Sequence, residues 1–328
     1  MSDKEVLLSG QHIRQWFPVK KWFFEKPAYV KAVDDVSIEL YKGETLGICG
    51  ESGCGKSTLL RTLLRLIEPT AGTITYKGDD ITKLSKKEMK KYRRHMQIVF
   101  QDPYSALDAR MKVGQIIEEP LIINKTYKTR AERLARVREL INQVGLDESY
   151  INRYPHEFSG GQRQRIVIAR ALANKPDLVF CDEAVSALDV SVRAQILNLL
   201  DDLQKELGLT YMIVSHDLSD IEHICDRVAI MYLGKVVESG TKDELFSNPQ
   251  HPYTKALLSA IPMIGKKSSD RIILEGDIPS PVNPPEGCRF RARCKYACER
   301  CAHEEPELVN INSDHKVACH LCDNCNEG

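Results

Sequence analysis

No stretch of this chain limits its possible folds more than Gly50-Glu51-Ser52-Gly53-Cys54-Gly55-Lys56-Ser57-Thr58. It stands between an apolar run, Thr45-Leu46-Gly47-Ile48-Cys49, and a segment from Lys56 in which Leu59, Leu60, Leu63 and Leu64 share one helical face. The order is therefore strand, glycine-rich turn, helix. Gly50, Gly53 and Gly55 open backbone angles closed to other residues, so successive N–H groups turn inward around a polyphosphate at the positive end of the helix. In such a cradle Lys56 reaches the β- and γ-phosphates, and the Ser57 hydroxyl binds Mg²⁺. The reading is an α/β chain built on a P-loop that binds a nucleoside triphosphate.

The flanking segments supply candidate partners for that loop. Val33-Asp34-Asp35-Val36-Ser37-Ile38-Glu39-Leu40 alternates as a half-buried strand. Before it lies an aromatic insert, Trp16-Phe17 to Trp22-Phe23-Phe24, from which Phe17 is the first choice to stack on adenine, with Trp16 and Tyr29 behind it. Gly72 to Tyr76 and Gly78-Asp79-Asp80 form a small antiparallel pair. Met96 to Phe100 is an apolar strand that delivers Gln101 toward the phosphates. From about Asp102 to Glu157 the texture is helical, with Leu134, Val137, Leu140 and Ile141 at helical spacing. Lys128, Arg130, Arg133, Arg136 and Arg138 are interleaved with Glu132 and Glu139, which makes a solvated helix face a better reading than a nucleic-acid surface.

A second anion site follows. Ser159 caps a helix that opens Gly160-Gly161-Gln162, and the two glycines leave its N-terminal amides uncovered. A chain with a single phosphate loop has no obvious use for two such sites. Asp177-Leu178-Val179-Phe180-Cys181 is a buried strand ending in Asp182-Glu183. Asp182 holds Mg²⁺ through water, and Glu183 polarises the attacking water. A helix from Ser191 to Leu207 turns Ile196, Leu199, Leu200 and Leu203 inward. The next strand, Thr210 to Val214, ends at His216, which contacts the γ-phosphate. Val228 to Tyr232 and Lys235 to Gly240 form a closing hairpin about Gly234.

Composition narrows the classes. Lys+Arg and Asp+Glu are equal at 46 each, so nothing in the charge balance calls for nucleic acid. No apolar run approaches the roughly 18–20 residues that span a bilayer, and the first residues lack the pattern of a signal peptide, so a cytosolic protein is expected. Of 11 cysteines, seven crowd between Cys288 and Cys325, which in a reducing compartment suggests a metal or cluster before disulfides. Cys54, near a helix N-terminus, is expected to have a lowered pKa and to react with thiol reagents unless ATP protects it.

Taken together, these motifs resemble an ABC-transporter nucleotide-binding subunit across essentially the whole chain. Gly50 to Thr58 matches Walker A, Gln101 the Q-loop, Ser159-Gly160-Gly161-Gln162 the ABC signature, and Leu178 to Glu183 Walker B with the catalytic Glu. Ser186 to Asp189 matches the D-loop and His216 the switch histidine. The resemblance implies a P-loop core with an antiparallel β subdomain and a helical subdomain at about 102–157. It also implies ATP and Mg²⁺ as cofactors, with Ser57, Gln101 and Asp182 on the metal. It explains the surplus anion site, since the signature helix of one subunit closes over ATP held by the loop of another. Ala184, where the family usually has Pro, and Phe158, in place of the commoner Leu, depart from the pattern without removing a reacting group.

Within the family the resemblance is closest to the ATPase subunits of bacterial oligopeptide and dipeptide permeases, and to the F-type subunit among them. Asn248-Pro249-Gln250-His251-Pro252-Tyr253-Thr254-Lys255, Ile278 to Pro285 and Gly287-Cys288-Arg289-Phe290-Arg291-Ala292-Arg293-Cys294 carry it. It implies an ABC domain at 1–250 and a peptide-permease-type region at 251–328. The implied partners are a sister D-type ATPase subunit, two transmembrane permease subunits and, indirectly, an extracytoplasmic peptide-binding protein. Together they imply a place on the cytoplasmic face of the membrane. Import of another small solute such as nickel, or a non-transport soluble ABC ATPase, are the alternatives. Cys288, Cys294, Cys301 and Cys319 match the family's four-cysteine pattern for a 4Fe–4S cluster, with Zn²⁺ the alternative. Cys298, His320, Cys322 and Cys325 fall outside that pattern.

Overall fold

The computed structural model describes residues 5–19, 28–261, 272–282 and 284–322; Trp22, Phe23, Phe24 and Cys325 lie outside them. The chain opens with two long strands, β1 (Val6–Val19) and β2 (Ala28–Tyr41), then β3 (Thr45–Cys49), α1 (Lys56–Leu63), β4 (Ala71–Tyr76) and β5 (Asp79–Asp80). The middle of the chain runs α2 (Lys86–Arg93), β6 (Met96–Val99), α3 (Pro103–Ala106), α4 (Val113–Ile123) and α5 (Arg130–Gln143). It continues through α6 (Gly160–Leu172), β7 (Leu178–Asp182), α7 (Val190–Leu207) and β8 (Thr210–Ser215). Then come α8 (Leu218–Ile224), β9 (Arg227–Tyr232), β10 (Lys235–Thr241), α9 (Lys242–Ser247), α10 (Pro252–Ser259), α11 (Arg300–His303), β11 (Val309–Asn312) and β12 (His315–Val317). They fall into two compact units, one of residues 1–41, 45–83 and 215–328, the other of 42–44 and 84–214.

In the first unit β2, β1, β4 and β5 form an antiparallel sheet. The apolar residues Val33 and Val36 are three apart, an odd spacing that a regular strand would send to opposite faces. Both are buried, because Asp35 adopts φ 65° where the pairing with β1 slips between Ile13 and Arg14. The bulge turns the strand by one residue and keeps both valines inside. Helix α1 packs on β1 so closely that a Cβ on Gly10 would lie 2.6 Å from Leu63 Cδ2, and Leu59, Leu60, Leu63 and Leu64 are buried as their spacing predicts.

The other sheet of this unit runs β11-β12-β10-β9-β3, with β3 parallel to β9. The hairpin of β9 and β10 forms as expected about Leu233 (φ 42°) and Gly234 (φ 79°), yet it does not end the sheet. The cysteine-rich tail adds β12 to the free side of β10, and β11 pairs with β12. At this junction Glu238 and His315 are fully buried, with His315 Nε2 at 2.7 Å from Glu238 Oε1. The same carboxylate accepts the N–H groups of Gln250 (2.6 Å) and His251 (3.1 Å).

In the second unit β8, β7 and β6 are parallel neighbours, and β7 is buried along its whole length. Reciprocal caps fix the helix starts, Thr129 with Glu132 on α5 and Ser159 with Gln162 on α6. Asp189 caps α7, and Gly208 (φ 65°) ends it. Two expectations need correction. Leu197 rather than Leu199 is buried with Ile196, Leu200 and Leu203, because the inward face of α7 is rotated toward the flank that carries Leu197. Arg136 is not on a solvated face: its side chain is buried, donates to the Leu172 carbonyl at 3.0 Å and pairs with Glu139 at 2.8 Å.

Removing a carboxylate that satisfies two amides and a buried ring leaves all of them unpaired. Glu238→Ala should therefore cost about 3 kcal/mol, read as a lowered urea midpoint; a midpoint equal to that of the unsubstituted chain would contradict the junction.

Candidate functional site

In the first unit β3 delivers the glycine loop, and close backbone contacts fix its course. A Cβ on Gly50 (φ 154°) would lie 2.1 Å from the Met231 carbonyl oxygen, and one on Gly55 (φ 109°) 2.0 Å from the Ala32 carbonyl oxygen. No side chain fits at either place. The Gly234 N–H donates to the Cys54 carbonyl at 2.8 Å, so the β9–β10 turn grips the loop from behind. Lys56 is buried, and its ammonium donates to the carbonyls of Gly50 (2.7 Å) and Glu51 (3.0 Å). Ser52 and Gly53 are exposed, with Ser57 and Thr58 half-buried, on the loop's open side.

Two residues absent from the sequence-based site hold Glu51. Tyr253 Oη accepts the Glu51 N–H at 2.9 Å, and Arg293 donates to both carboxylate oxygens at 2.7 and 3.1 Å. The signal for Tyr253 was the His251-Pro252-Tyr253 run, but periodicity carries no information on what a distant hydroxyl touches.

Cys54 corrects an expectation. It is buried, and burial pushes its thiol pKa up, outweighing Lys56, whose Nζ is 4.0 Å away. The helix N-terminus does not make it the reactive, lowered-pKa thiol predicted, because desolvation disfavours the thiolate more. Phe17 is part-exposed on β1 beside Val30, whereas Trp16 is engaged, donating from Nε1 to Asp34 at 3.0 Å and lying under Lys31. His216 is exposed just past β8.

In the second unit, Asp182 ends β7 as a buried carboxylate. Glu183 has φ 50°, a conformation costly for a non-glycine residue. Its N–H donates to the Val214 carbonyl at 3.0 Å, and its own carbonyl accepts the N–H (3.1 Å) and hydroxyl (3.0 Å) of Ser186. Gln101 Nε2 donates to Glu183 Oε2 at 3.1 Å and to Ser186 Oγ at 3.2 Å. Gln101 is thus brought to Glu183 and Ser186, more than 80 positions away, at one strand end.

On α6 the Ser159 hydroxyl accepts the Gln162 N–H at 3.4 Å, and Gln162 Oε1 accepts the Ser159 N–H at 3.1 Å. Gly160 is open. Gly161 serves packing as well, since a Cβ there would lie 2.3 Å from Val192 Cγ1 on α7. Asp189 accepts the Val192 N–H at 3.0 Å, which holds its carboxyl below the usual range. Arg163, which sequence reasoning passed over, donates to the Pro155 carbonyl at 2.7 Å and lies 3.8 Å over the Tyr104 ring.

In the tail the Cys288 N–H donates to the Cys301 carbonyl at 2.9 Å. Burial pushes the Cys288 thiol up to about 11, and the neighbouring thiols of Cys301, Cys319 and Cys294 add to the rise. Among the described residues no group of three or more His, Cys, Asp or Glu side chains stands in metal-holding geometry. Of the remaining candidates, Cys298 Sγ is 3.6 Å from Cys301 Sγ, His320 Nε2 is 3.0 Å from the Glu304 carbonyl, and Cys322 is buried.

Residues 33–186 match the family described as ABC transporter, and residues 237–301 the oligopeptide/dipeptide transporter C-terminal region. The chain is 51% identical over 325 residues to the oligopeptide transport ATP-binding protein AppF of Bacillus subtilis, covering 98% of both chains. It is 52% identical over 320 residues to the dipeptide transport ATP-binding protein DppF of Haemophilus influenzae, covering 97% of this chain and 98% of that one. Among solved structures, the ATP-binding cassette MJ0796, dimeric in a post-hydrolysis state with ADP and Pi, superposes with a TM-score of 0.63 at 30% identity. That match covers 72% of this chain and 99% of the other. Among the described residues no helix is long and apolar enough to cross a membrane. Identity of this extent over nearly the full length shows that the chain belongs to the ABC transporter family as an ATP-hydrolysing subunit.

Proposed function

We propose that the chain powers import of oligopeptides or dipeptides through a membrane ABC transporter. The observation that carries this reading is the identity to peptide-transport ATP-binding proteins over nearly the full length, with the C-terminal region included. Residues 1–250 form the nucleotide-binding domain in this reading, and 251–328 the peptide-permease-type region. A sister D-type subunit faces it, two transmembrane permease subunits receive the stroke, an extracytoplasmic binding protein supplies peptide, and the chain lies on the cytoplasmic membrane face. The dimeric cassette MJ0796 bound to ADP and Pi supports a facing arrangement of two subunits.

The chain's own residues divide the work. Phe17 stacks on adenine, and the amides of Gly50 to Thr58 wrap the phosphates. Lys56 and His216 bear on the γ-phosphate, so charge that builds there meets fixed donors. Ser57, Gln101 and Asp182 suit Mg²⁺, which when bound neutralises phosphate charge. Glu183 takes a proton from the attacking water, and its link to Gln101 at 3.1 Å supports coupling between metal and base. Ser159, Gly160, Gly161 and Gln162 close on the nucleotide held by the facing subunit, with Asp189 beside them. Cys288, Cys294, Cys301 and Cys319 would hold a 4Fe–4S cluster, whose chemistry here is to cross-link the tail.

Glu183→Gln should leave ATP affinity intact and lower turnover about 10²-fold or more; wild-type turnover would refute the assignment of the base. Anaerobically purified protein should contain iron and acid-labile sulfide that Cys294→Ala removes, while zinc without sulfide would replace the cluster by a Cys₄ site. Reconstituted with its permease subunits, the chain should drive ATP-dependent uptake of a labelled tripeptide; uptake of Ni²⁺ and no peptide would overturn the substrate class.

A further inference from the structure

Glu51 is held from outside the loop at both its backbone and its side chain. Its N–H reaches Tyr253 Oη, and its carboxylate takes a two-pronged contact from Arg293 at 2.7 and 3.1 Å. Its carbonyl in turn accepts Lys56 Nζ at 3.0 Å. One residue thus joins Arg293 to the lysine meant for phosphate. The pair is well shielded, with the Arg293 side chain 8% and the Glu51 side chain 25% exposed.

Arg293 belongs to the cysteine-bearing segment. It closes a 3-10 turn, Arg291–Arg293, immediately before Cys294, and its N–H donates to the Phe290 carbonyl at 3.0 Å. Phe290 packs against Tyr253 and Tyr232, with ring centroids 5.4 and 5.3 Å away. Four residues earlier, Arg289 pairs with Asp34 and donates to the Leu233 carbonyl, on the wall that grips the loop from behind. The turn is therefore anchored where it meets the loop, and the guanidinium fork has one orientation to offer.

A carboxylate inside a phosphate loop carries the wrong sign for its ligand. Shielded from water, it would repel a polyphosphate strongly unless neutralised. We propose that Arg293 is a positioning residue for nucleotide binding: it neutralises and orients Glu51, so that the cysteine-bearing segment sets the affinity of the phosphate loop for a nucleoside triphosphate. The proposal rests on the reading of Gly50 to Thr58 as the nucleotide site.

The test is equilibrium titration of the full chain with a fluorescent ATP analogue and Mg²⁺. Arg293→Met should weaken binding about tenfold, and adding Glu51→Gln to that variant should recover affinity to within about threefold, because the unpaired charge is gone. If Arg293→Met does not fold, Arg293→Lys keeps the charge and loses the fork, with about threefold weaker binding expected and the same direction of recovery. Affinity within twofold of the unsubstituted chain in whichever variant folds, or a double variant no better than the single one, would overturn the proposal. Lys56→Ala is the separate control: if it binds the analogue normally, the reading of the loop itself fails, whatever Arg293 does.

Discussion

The course of the glycine loop depends on two carbonyl oxygens, those of Met231 and Ala32, lying where side chains of residues 50 and 55 would otherwise be. Their approach presses the phosphate loop onto the β9–β10 turn and onto β2. Gly234 then reinforces the arrangement in both directions, donating to Cys54 and accepting from Asp34 at 2.8 and 2.9 Å. The loop's shape is thus set by protein before any ligand arrives. A loop shaped in advance loses little order on binding, so for the proposed phosphate ligand more of the interaction would appear as affinity.

The second unit shows another way of preparing chemistry. Glu183 is held at φ 50°, a conformation that costs roughly 1–3 kcal/mol for a residue with a Cβ. The Val214 carbonyl and Ser186 fix its backbone, while Gln101 takes its carboxylate. In the proposed role of Glu183 as base, a carboxylate already aimed needs less reorganisation. Arg163 extends the same framework into the helical segment by tying the start of α6 to the Pro155 carbonyl and to Tyr104, three residues beyond Gln101.

What the sequence could disclose follows from the range over which each signal acts. Glycine spacing, helix caps and apolar periodicity are local, so the loop, α1, β7 and the capping of α6 by Ser159 were all legible in advance. The Glu51 to Arg293 contact spans 242 positions, and no local pattern announces it. Cys54 was misjudged because a helix terminus can be read from neighbours in sequence, whereas burial depends on neighbours in space. Arg136 failed for the same reason, since a long charged side chain on an amphipathic helix can fold inward once the Leu172 carbonyl is there to receive it. The strands β11 and β12 are only four and three residues long and partly polar, which left no periodicity to find.

The pairing of tail bases with acids elsewhere in the first unit has a consequence for how such subunits can change. Arg289 answers Asp34, Arg293 answers Glu51, and His315 answers Glu238. Trimming the chain after β10 would not give a minimal cassette, because Glu51 and Glu238 would lose their basic partners at once and Asp34 would keep only Trp16 and Lys31. Nor is the tail a freely exchangeable cartridge: a graft between sister subunits would succeed only where the recipient offers acidic groups at all three docking points.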